Sequence, residues 1–442
     1  DTLGYSTESG VELIQVDGFA FKDLNQNGLL DVYEDWREDN LTRAQDLASK
    51  LEVEGLAGLT LYSGHQFAIG GELNEDQMAF LDNGGRSVLN AAAGADVEAS
   101  AEWNNAMQVY VEGDGVGIPV NTSSDPRTTF SVGVPSNLCL AATFDNELVK
   151  EMGKLTSIEY RLLGIQTLLC PQIDVTTEPR WNRTDGTFGD DPLLSADLTG
   201  AFIDGIQSTY DENGEDLGWG TDSLLAVAKH WPGEGAGEGG REAHARIGNS
   251  QVFPGGMFDA QLVPFVDSAF NLDGKTESTA AVMSSYSIAY DEDEAYGELV
   301  GTSYSDYKMK ELLREKYTFN GVVITDWGVI DDLEGFFAGK AYGVFELTHE
   351  ERALKMFLAG VDQLGGYSDV DTILDAYELG SDEYGEDVMR ELFEVIAARV
   401  LKGIYAVELF ENPYIDVDQA AAVVGNDDYV AAAYEAQLKS VV

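Results

Sequence analysis

The sequence predicts an α/β fold in which one TIM-like (β/α)8 barrel carries an N-terminal extension and a C-terminal segment. The chain has 442 residues, a length that suits one large barrel with additional segments. Short β-rich runs alternate with amphipathic helical stretches through the middle of the chain, which is the pattern of a parallel sheet covered by helices. Polar and aromatic residues follow several predicted strands, at the end where such barrels gather their functional groups.

Eight β-rich runs have the length and apolar character of barrel strands. In chain order the predicted strands are 56–62, 86–89, 118–122, 167–175, 224–229, 279–284, 322–325 and 362–364. Between them, apolar residues at three- and four-residue spacing predict helices, for example at 146–163, 306–317 and 350–359. Two long segments containing glycine and proline, 176–195 and 231–257, follow strands and are predicted to be loops at the barrel mouth.

The charge balance of the chain narrows the class of ligand. The sequence contains 79 acidic and 26 basic side chains, a formal net charge of −53. Such a surface repels nucleic acid, anionic membranes and anionic ligands, because phosphate recognition depends on clustered lysine and arginine. No apolar run approaches the ~18 residues of a membrane span. We therefore expect a soluble protein, cytoplasmic or secreted, with a neutral ligand such as a sugar.

Charged, imidazole and aromatic residues follow five of the predicted strands. Because the carboxyl ends of barrel strands meet at one mouth, these side chains are expected to lie together. Each alone could be a satisfied polar residue at a strand end, but together they predict a polar pocket with aromatic walls. The residues are Asp125 in SSDPR, Asp174 and Arg183 in IDVTTEPRWNR, Lys229 and His230 in KHWPG, Tyr286 in SSY, and Asp326 and Trp327 in TDWG.

Asp326 is the predicted reactive group of this pocket. It follows the apolar run GVVIT and precedes Trp327. Burial would raise its pKa, and the basic residues of the pocket would oppose that shift and keep the carboxylate ionised. An ionised carboxylate beside an aromatic side chain can attack the anomeric carbon of a sugar and stabilise a cationic transition state. The alternative is a helix N-cap after the strand, a position that aspartate also favours.

A twelve-residue segment near the start of the chain matches the calcium loop of an EF-hand. In DLNQNGLLDVYE, residues 23–34, oxygen-bearing groups stand at the alternating ligand positions and Gly28 stands at the sharp turn. A loop closed by ordinary hydrogen bonds is the alternative. No cofactor is expected in the reaction itself, so any calcium would be structural. The predicted calcium ligands are Asp23, Asn25, Asn27, Leu29, Asp31 and Glu34.

A second glycine-rich segment, GAGEGG at 235–240, formally fits a dinucleotide-binding loop. Glu234 and Glu238 place negative charge beside it, and no helix is predicted directly after it. A phosphate group would therefore be repelled, and the nucleotide interpretation is discarded.

Three separated motifs resemble those of glycoside hydrolase family 3, in the order in which the family has them. They are IDVTTEPRWNRTDGTFGDDPLLSADLTGAFIDGIQ, KHWPGEGAGEGGREAHA and GVVITDWG, and the resemblance runs from about residue 18 to the end of the chain. It implies a barrel as the first domain and an α/β-sandwich as the second. It also implies a retaining, exo-acting β-glycosidase.

The resemblance implies a role for each of the site residues. Asp326 in ITDWG would be the nucleophile that forms a covalent glycosyl intermediate. Asp125 in SSDPR would accept hydrogen bonds from hydroxyls of the terminal sugar, which favours a β-glucoside. Trp327 would form a wall against which the sugar or its leaving group stacks. The same subsite would be lined by Arg183, Lys229, His230 and Tyr286.

The general acid/base is missing from these assignments. In most family members it is a glutamate of the second domain. In the family's hexosaminidase branch an Asp–His pair on the loop after KHFPG has this role. The corresponding residues here are Glu242 and His244, and we assign His244 to substrate binding. We therefore expect a second polypeptide or a cleaved C-terminal half to complete the site.

The predicted domain organisation follows from these assignments. Residues 1–40 would be the N-terminal extension and residues 41–404 the catalytic barrel. Residues 405–442 would be a linker and the start of a second domain that the chain does not contain.

Two other functions are consistent with the same residues. A non-catalytic carbohydrate-binding subunit would bind sugar without turning it over. A barrel lyase would use Lys229 as a Schiff base with a carbonyl substrate. Borohydride trapping with a keto substrate would identify the lyase, whereas labelling of Asp326 by a fluorinated glycoside would identify the glycosidase.

Overall fold

The computed structural model of the chain describes most of its residues. The described ranges are 2–64, 72–90, 96–125, 132–293, 295–332 and 339–441. Pro126 and Arg127 of the SSDPR motif, and Val442 at the end of the predicted C-terminal segment, lie outside the described residues.

Eight parallel strand positions close into a ring. Six of them form a parallel sheet in which strands adjacent in sequence are also neighbours in space. Its strands, β1–β6 in chain order, are Ser87–Leu89, Asn121–Ser124, Thr167–Leu168, Leu225–Trp231, Ala281–Ser284 and Val322–Thr325. Residues 61–62 and 363–364 supply the remaining positions, through parallel bridges from Tyr62 to Ser87, Leu61 to Leu364 and Ile324 to Gln363. The predicted (β/α)8 barrel is confirmed.

Helices cover the outside of the ring. The predicted helices at 146–163, 306–317 and 350–359 are confirmed to within one residue at each end. Side-chain caps fix where two of them begin, because Asp145 accepts a hydrogen bond from the backbone of Leu148, and Thr348 and Glu351 form a capping box. The α-helices are Asn40–Lys50, Val53–Leu59, Glu75–Asp82, Val97–Glu112, Asn137–Ala141, Asn146–Leu162, Pro192–Gln207, Phe258–Pro264, His349–Ala359, Val370–Tyr384, Glu386–Ala406, Val417–Val423 and Asp427–Lys439, with π-helical Phe265–Ala269 and Asp306–Lys316.

Three of the predicted strand boundaries are wrong. Residues Val53–Leu59 form a helix, so only the last part of the predicted strand 56–62 belongs to the ring. Residues 56–59 are buried. An apolar run in which polar and apolar residues do not alternate fits a buried helix as well as a buried strand. β2 begins at Asn121 instead of 118. β3 ends at Leu168, and beyond it Gln172 makes a single parallel bridge to Lys229.

The inside of the ring is a packed apolar core. It leaves room for polar groups only at the two ends of the barrel, as in other barrels of this kind. The side chains of this inner cluster are Tyr62, Leu89, Leu169, Val227, Ala281, Met283 and Ile324.

The N-terminal extension is a β-hairpin followed by the EF-hand-like loop. The hairpin strands Glu12–Val16 and Phe19–Asp23 are antiparallel. In the loop, Asp23 accepts hydrogen bonds from the backbone N–H groups of residues 27 and 28, at 3.0 and 2.9 Å. Asp31 accepts from the side-chain amides of Asn25 and Asn27, both at 2.8 Å. The loop is therefore closed by hydrogen bonds, and calcium binding stays a prediction.

The C-terminal segment packs against the barrel helices. The side-chain oxygen of Asn105 accepts a hydrogen bond from the backbone of Ile415 at 2.8 Å, and Glu159 accepts one from the backbone of Gly425 at 2.6 Å. Whether this segment also begins a second domain stays a prediction. None of the described helices combines the length and the apolar character that crossing a membrane requires.

Candidate active site

The predicted site residues converge at the carboxyl-terminal mouth of the barrel. Asp125 directly follows β2, Lys229 and His230 lie at the end of β4, and Tyr286 follows β5. Asp326 and Trp327 follow β6, and Arg183 comes from the loop after β3. Apart from the Asp125–Lys229 pair, these residues form one group that is connected by hydrogen bonds and close contacts.

Asp326 is a buried carboxylate held by two donors. The residue is 7% exposed. Oδ1 accepts a hydrogen bond from the Tyr286 hydroxyl at 2.7 Å and one from the Trp327 backbone N–H at 2.7 Å. Oδ2 lies 3.6 Å from Nε2 of His230. The described residues that follow Asp326 form turns instead of a helix, so the N-cap alternative does not apply to them.

His230 links Asp326 to a second carboxylate and to Arg183. Its Nδ1 lies 2.8 Å from Oδ2 of Asp174, and its Nε2 lies 3.1 Å from Nη2 of Arg183. Burial lowers the pKa of His230, and the Arg183 charge lowers it further. A neutral imidazole fits both contacts, because Nδ1–H can donate to Asp174 while Nε2 accepts from the guanidinium.

The pKa of Asp326 keeps the carboxylate ionised at neutral pH. Burial raises this pKa, but two histidines, Arg183 and the Tyr286 hydroxyl outweigh burial and hold it below its ordinary value of 3.8. The Arg183 guanidinium is a permanent positive charge among these groups, and the Lys340 ammonium also interacts with Asp326. A buried, ionised and hydrogen-bonded carboxylate at a barrel mouth is equipped for nucleophilic attack.

Lys229 and Asp125 form an ion pair on the other side of the mouth. Lys229 Nζ donates to Asp125 Oδ1 at 2.8 Å. The Lys229 side chain is 1% exposed, whereas that of Asp125 is 44% exposed and therefore open to a ligand. The register between β4 and β5 shifts after Lys229, so that Trp231 and not His230 pairs with Ser284. This bulge accompanies the use of two consecutive residues in the site.

Aromatic and imidazole rings line the mouth. Trp327 is half-buried, and its ring packs edge-on against Tyr62 with 5.3 Å between centroids. The His244 ring lies edge-on to Tyr286 at 4.8 Å, and its Nδ1 lies 2.6 Å from Oε1 of Glu242. The structure thus brings His244 to the same mouth as the strand-end residues, although it belongs to the loop after β4.

The structure adds two carboxylates and a lysine that sequence reasoning did not assign to the site. Glu234 is 2% exposed and lies 3.4 Å from Nη1 of Arg183. Glu242 accepts a hydrogen bond from the Trp181 indole at 2.8 Å. Lys340 is 5% exposed, with its Nζ 5.2 Å from the centroid of the Tyr286 ring. Glu234 and Glu242 belong to the KHWPGEGAGEGGREAHA motif, which is the sequence feature that could have indicated them. No motif of the sequence analysis contains Lys340.

A metal ion does not fit the described side chains of the mouth. His230, Glu234 and Asp326 have ligand atoms within 4.8 Å of one another, as do Glu234, Glu242 and His244. However, the Arg183 guanidinium already contacts both His230 and Glu234. A permanent cation therefore occupies the position from which a metal would bind these atoms.

Comparisons with known proteins place the barrel in a family. The model of the glycosyl hydrolase family 3 N-terminal domain matches residues 69–375. The chain is 33% identical to a periplasmic β-glucosidase/β-xylosidase of Dickeya chrysanthemi, over 98% of this chain and 68% of that protein. It is 32% identical to β-glucosidase C of Emericella nidulans, over 90% of this chain and 64% of that protein. The chain thus spans about two thirds of the length of these curated relatives.

Solved structures share the fold. A β-glucosidase from Erythrobacter marinus superposes with a TM-score of 0.74 at 22% identity, over 93% of this chain and 51% of that one. An exo-1,3/1,4-β-glucanase from a Pseudoalteromonas species gives 0.71 at 20% identity, over 94% and 48%. The chain therefore corresponds to about half of each of these longer chains.

Proposed function

Because the chain belongs to glycoside hydrolase family 3, we propose that it is the catalytic barrel of a retaining, exo-acting β-glycosidase. Asp326 attacks the anomeric carbon of a terminal β-linked sugar and forms a covalent glycosyl intermediate, which water then hydrolyses. The observation that carries this proposal is the geometry of Asp326, a buried carboxylate with a depressed pKa whose Oδ1 accepts two hydrogen bonds. Its Oδ2 accepts none from the described residues and is the oxygen available for attack.

The sugar binds between the ion pair and the aromatic wall. Asp125 is exposed at the mouth and accepts hydrogen bonds from sugar hydroxyls, and its partner Lys229 keeps the carboxylate oriented. Arg183 and His230 line the opposite side of the subsite, and Trp327 offers a face for stacking. A β-glucoside is the favoured substrate because a carboxylate at this position suits hydroxyls at positions 4 and 6. One curated relative is named β-glucosidase/β-xylosidase and the other β-glucosidase C, and both names support this class.

The general acid/base comes from a second domain or polypeptide. Among the described residues of the mouth, Glu234 is 2% exposed and cannot reach a leaving group. Burial raises the pKa of Glu242, but the His244 hydrogen bond and Arg183 bring it to about 2, so this carboxylate holds no proton to donate. His244 is half-exposed and contributes to substrate binding. The greater length of the relatives supports a further domain over the mouth.

The alternative functions have less support. The Lys229 ammonium is paired with Asp125 at 2.8 Å, and a paired ammonium is a poor nucleophile for Schiff-base formation. A purely binding subunit does not require an ionised carboxylate with a free oxygen opposite a sugar subsite.

Covalent trapping tests the nucleophile independently of the acid/base. A 2,4-dinitrophenyl 2-deoxy-2-fluoro-β-glucoside carries a leaving group that departs without protonation, so the barrel alone can form the intermediate. We expect one fluoroglucosyl label per chain, located on Asp326 by peptide mass spectrometry. Asp326→Asn should take no label, whereas the control Asp190→Asn, on the exposed surface of the loop after β3, should be labelled normally.

Two outcomes would contradict the proposal. Absence of label on the folded chain, or a label that persists in Asp326→Asn, removes the nucleophile assignment. Unimpaired turnover of a glycoside with a poor leaving group by this chain alone would instead exclude an acid/base from elsewhere.

A further inference from the structure

Glu234 is a buried carboxylate beneath the site. It begins a short 3-10 turn, Glu234–Ala236, directly after β4 and the Pro232–Gly233 step. The next residue, Gly235, lies so close to the segment that follows β3 that a Cβ there would be 2.4 Å from the backbone oxygen of Val175. Only glycine allows this approach, and the approach holds Glu234 inside the barrel mouth.

The two oxygens of Glu234 face different elements. Oε2 accepts hydrogen bonds from Ser285 Oγ at 2.6 Å and from the Tyr286 backbone N–H at 3.2 Å. Oε1 lies 3.4 Å from Nη1 of Arg183. One side chain therefore joins the loop after β3 to the turn after β5.

The direction of the Ser285 bond is fixed by its other partners. Ser285 Oγ accepts from Nε2 of Gln251 at 2.8 Å and from the Ser287 backbone N–H at 3.1 Å. Its one proton is thus left for Glu234, so Oε2 must act as an acceptor. Burial raises the pKa of Glu234 well above its ordinary value, and Arg183 opposes the shift. Any proton that Glu234 binds must therefore sit on Oε1.

The residues that Glu234 holds are those that orient the nucleophile. The Tyr286 hydroxyl donates to Oδ1 of Asp326 at 2.7 Å. Arg183 contacts His230 Nε2, which in turn lies 3.6 Å from Oδ2 of Asp326. Glu234 therefore holds Tyr286, which contacts Oδ1 of Asp326 directly. It also holds Arg183, which reaches Oδ2 of Asp326 through His230.

We propose that Glu234 is a positioning residue that couples Arg183 to the Ser285–Tyr286 turn and thereby holds Asp326 in the orientation needed for attack. The inference rests on the proposed function. Glu234 does not touch substrate, because it is buried beneath the residues it holds.

Substitutions separate the two halves of the coupling. In Glu234→Gln the amide oxygen can keep both bonds to the turn, which leaves the NH2 group facing the Arg183 guanidinium, donor against donor. Glu234→Ala removes both links. Ser285→Ala removes one of the two bonds between Glu234 and the turn, together with the bonds that Ser285 Oγ accepts from Gln251 and Ser287. The matched control is Glu238→Gln, in the same loop, where the side chain is 58% exposed and pairs with Arg241.

The measurement is the rate of fluoroglucoside labelling together with the affinity for glucose. We expect Glu234→Ala to slow labelling by about 100-fold, the effect of misplacing a reacting group by ~1 Å. Glu234→Gln and Ser285→Ala should fall between this variant and the wild type, and Glu238→Gln should match the wild type. Glucose affinity should fall much less than the labelling rate, since Asp125 and Lys229 are untouched and only the Arg183 side of the subsite is loosened. A merely structural role would instead lower the labelled fraction and the glucose-binding fraction together.

The outcomes distinguish the two proposals. If the wild type is labelled and Glu234→Ala reacts at the same rate, the positioning role is wrong. If the wild type takes no label, the proposed function is at fault, and a crystal structure of Glu234→Gln decides the positioning role without turnover. In that structure Arg183 should move away from position 234. An Arg183 side chain that stays in place beside His230 would overturn the inference.

Discussion

Lys308 is a buried amine behind the turn that carries Tyr286. Its Nζ donates to Thr302 Oγ1 at 2.8 Å and to the backbone oxygen of Ser287 at 3.3 Å. Burial lowers the pKa of Lys308 from 10.5 to about 7, and the charge of Glu298 opposes this only weakly. The side chain is fully buried without a carboxylate in hydrogen-bond contact among the described residues, so its protonation is coupled to folding.

Lys308→Met should change the pH dependence of stability in a defined direction. The folded pKa lies below the unfolded one, so the unfolded chain binds the proton more tightly between these two values. The free energy of unfolding that Lys308 contributes therefore rises with pH from about 7 to about 10.5. We expect the stability of Lys308→Met relative to the wild type to be greatest near neutral pH and to fall as pH rises, in urea unfolding.

A neighbouring lysine provides the control for this prediction. Lys310 lies on the same helix and is exposed. Lys310→Met should show a stability difference from the wild type that does not vary with pH over this range. A pH-independent difference for Lys308→Met as well would mean that its ammonium is not desolvated in the folded state.

Most site residues could be predicted at the residue scale because they stand at the ends of recognisable strands. Asp326 and Lys229 follow apolar runs whose direction is clear from sequence. From the sequence, Glu234 is only a charge that repels phosphate, because a glycine-rich loop gives no sign that it packs against the segment after β3. Lys340 lies far along the chain from Tyr286, and only the closed ring brings the two together.

At the element scale, the order of the barrel elements was predictable and their ends were not. The eight strand positions were predicted because each is an apolar run between helical patterns. The predicted start of the first strand is wrong because residues 56–59 are buried in a short helix. β3 is shorter than predicted because its pairing becomes irregular at Cys170 and Pro171, although backbone hydrogen bonds to β4 continue as far as Ile173. Apolar composition indicates which residues are buried. The pairing between strands, which sets where each strand begins and ends, depends on residues far along the chain.

The loop at 23–34 combines closure by hydrogen bonds with the ligand spacing of a calcium site. Asp23 and Glu34 accept hydrogen bonds from backbone N–H groups, and Asp31 accepts from two asparagine side chains. These contacts close the loop by themselves, while the spacing of oxygen ligands is that of a calcium loop. Calcium would have to turn the asparagine amides so that their oxygens, now directed at backbone N–H groups, face the ion.

We predict that this loop binds calcium and that the ion stabilises the N-terminal extension. Added calcium should raise the melting temperature, because an ion that binds only the folded state stabilises it by mass action. Glu34→Gln should abolish the calcium-dependent part, since it removes the bidentate carboxylate. The control Glu38→Gln lies just beyond the loop and should respond to calcium as the wild type does. Equal melting temperatures with calcium and with chelator would refute the prediction.

At the scale of the whole molecule, buried ion pairs join the two ends of the chain to the barrel. Lys22 pairs with Glu112 at 2.7 Å, and Arg43 pairs with Glu411 at 2.6 Å. All four side chains are almost completely buried. Salt screens buried pairs far less than it screens exposed charges, so these links should survive at high ionic strength.

The unpaired acidic charge of the surface, in contrast, should destabilise the folded state. The chain carries a formal −53, so most acidic groups have no basic partner and repel one another across the surface. The screening length falls from about 10 Å at 0.1 M salt to about 3 Å at 1 M, which removes most of this repulsion. The folded state is the compact one and concentrates the charge, so it should gain more from screening than the unfolded chain does.

We therefore predict that the melting temperature rises steeply with sodium chloride at low concentration and then levels off as screening saturates. Sucrose at matched osmolality is the control, because it stabilises by exclusion from the surface and does not screen charge. A second control is pH: at a pH where many carboxylates are protonated, the salt dependence should shrink. A melting temperature that is independent of salt at neutral pH would show that the acidic surface does not destabilise the fold. A rise that sucrose reproduces in full would assign the effect to solvent exclusion instead of charge.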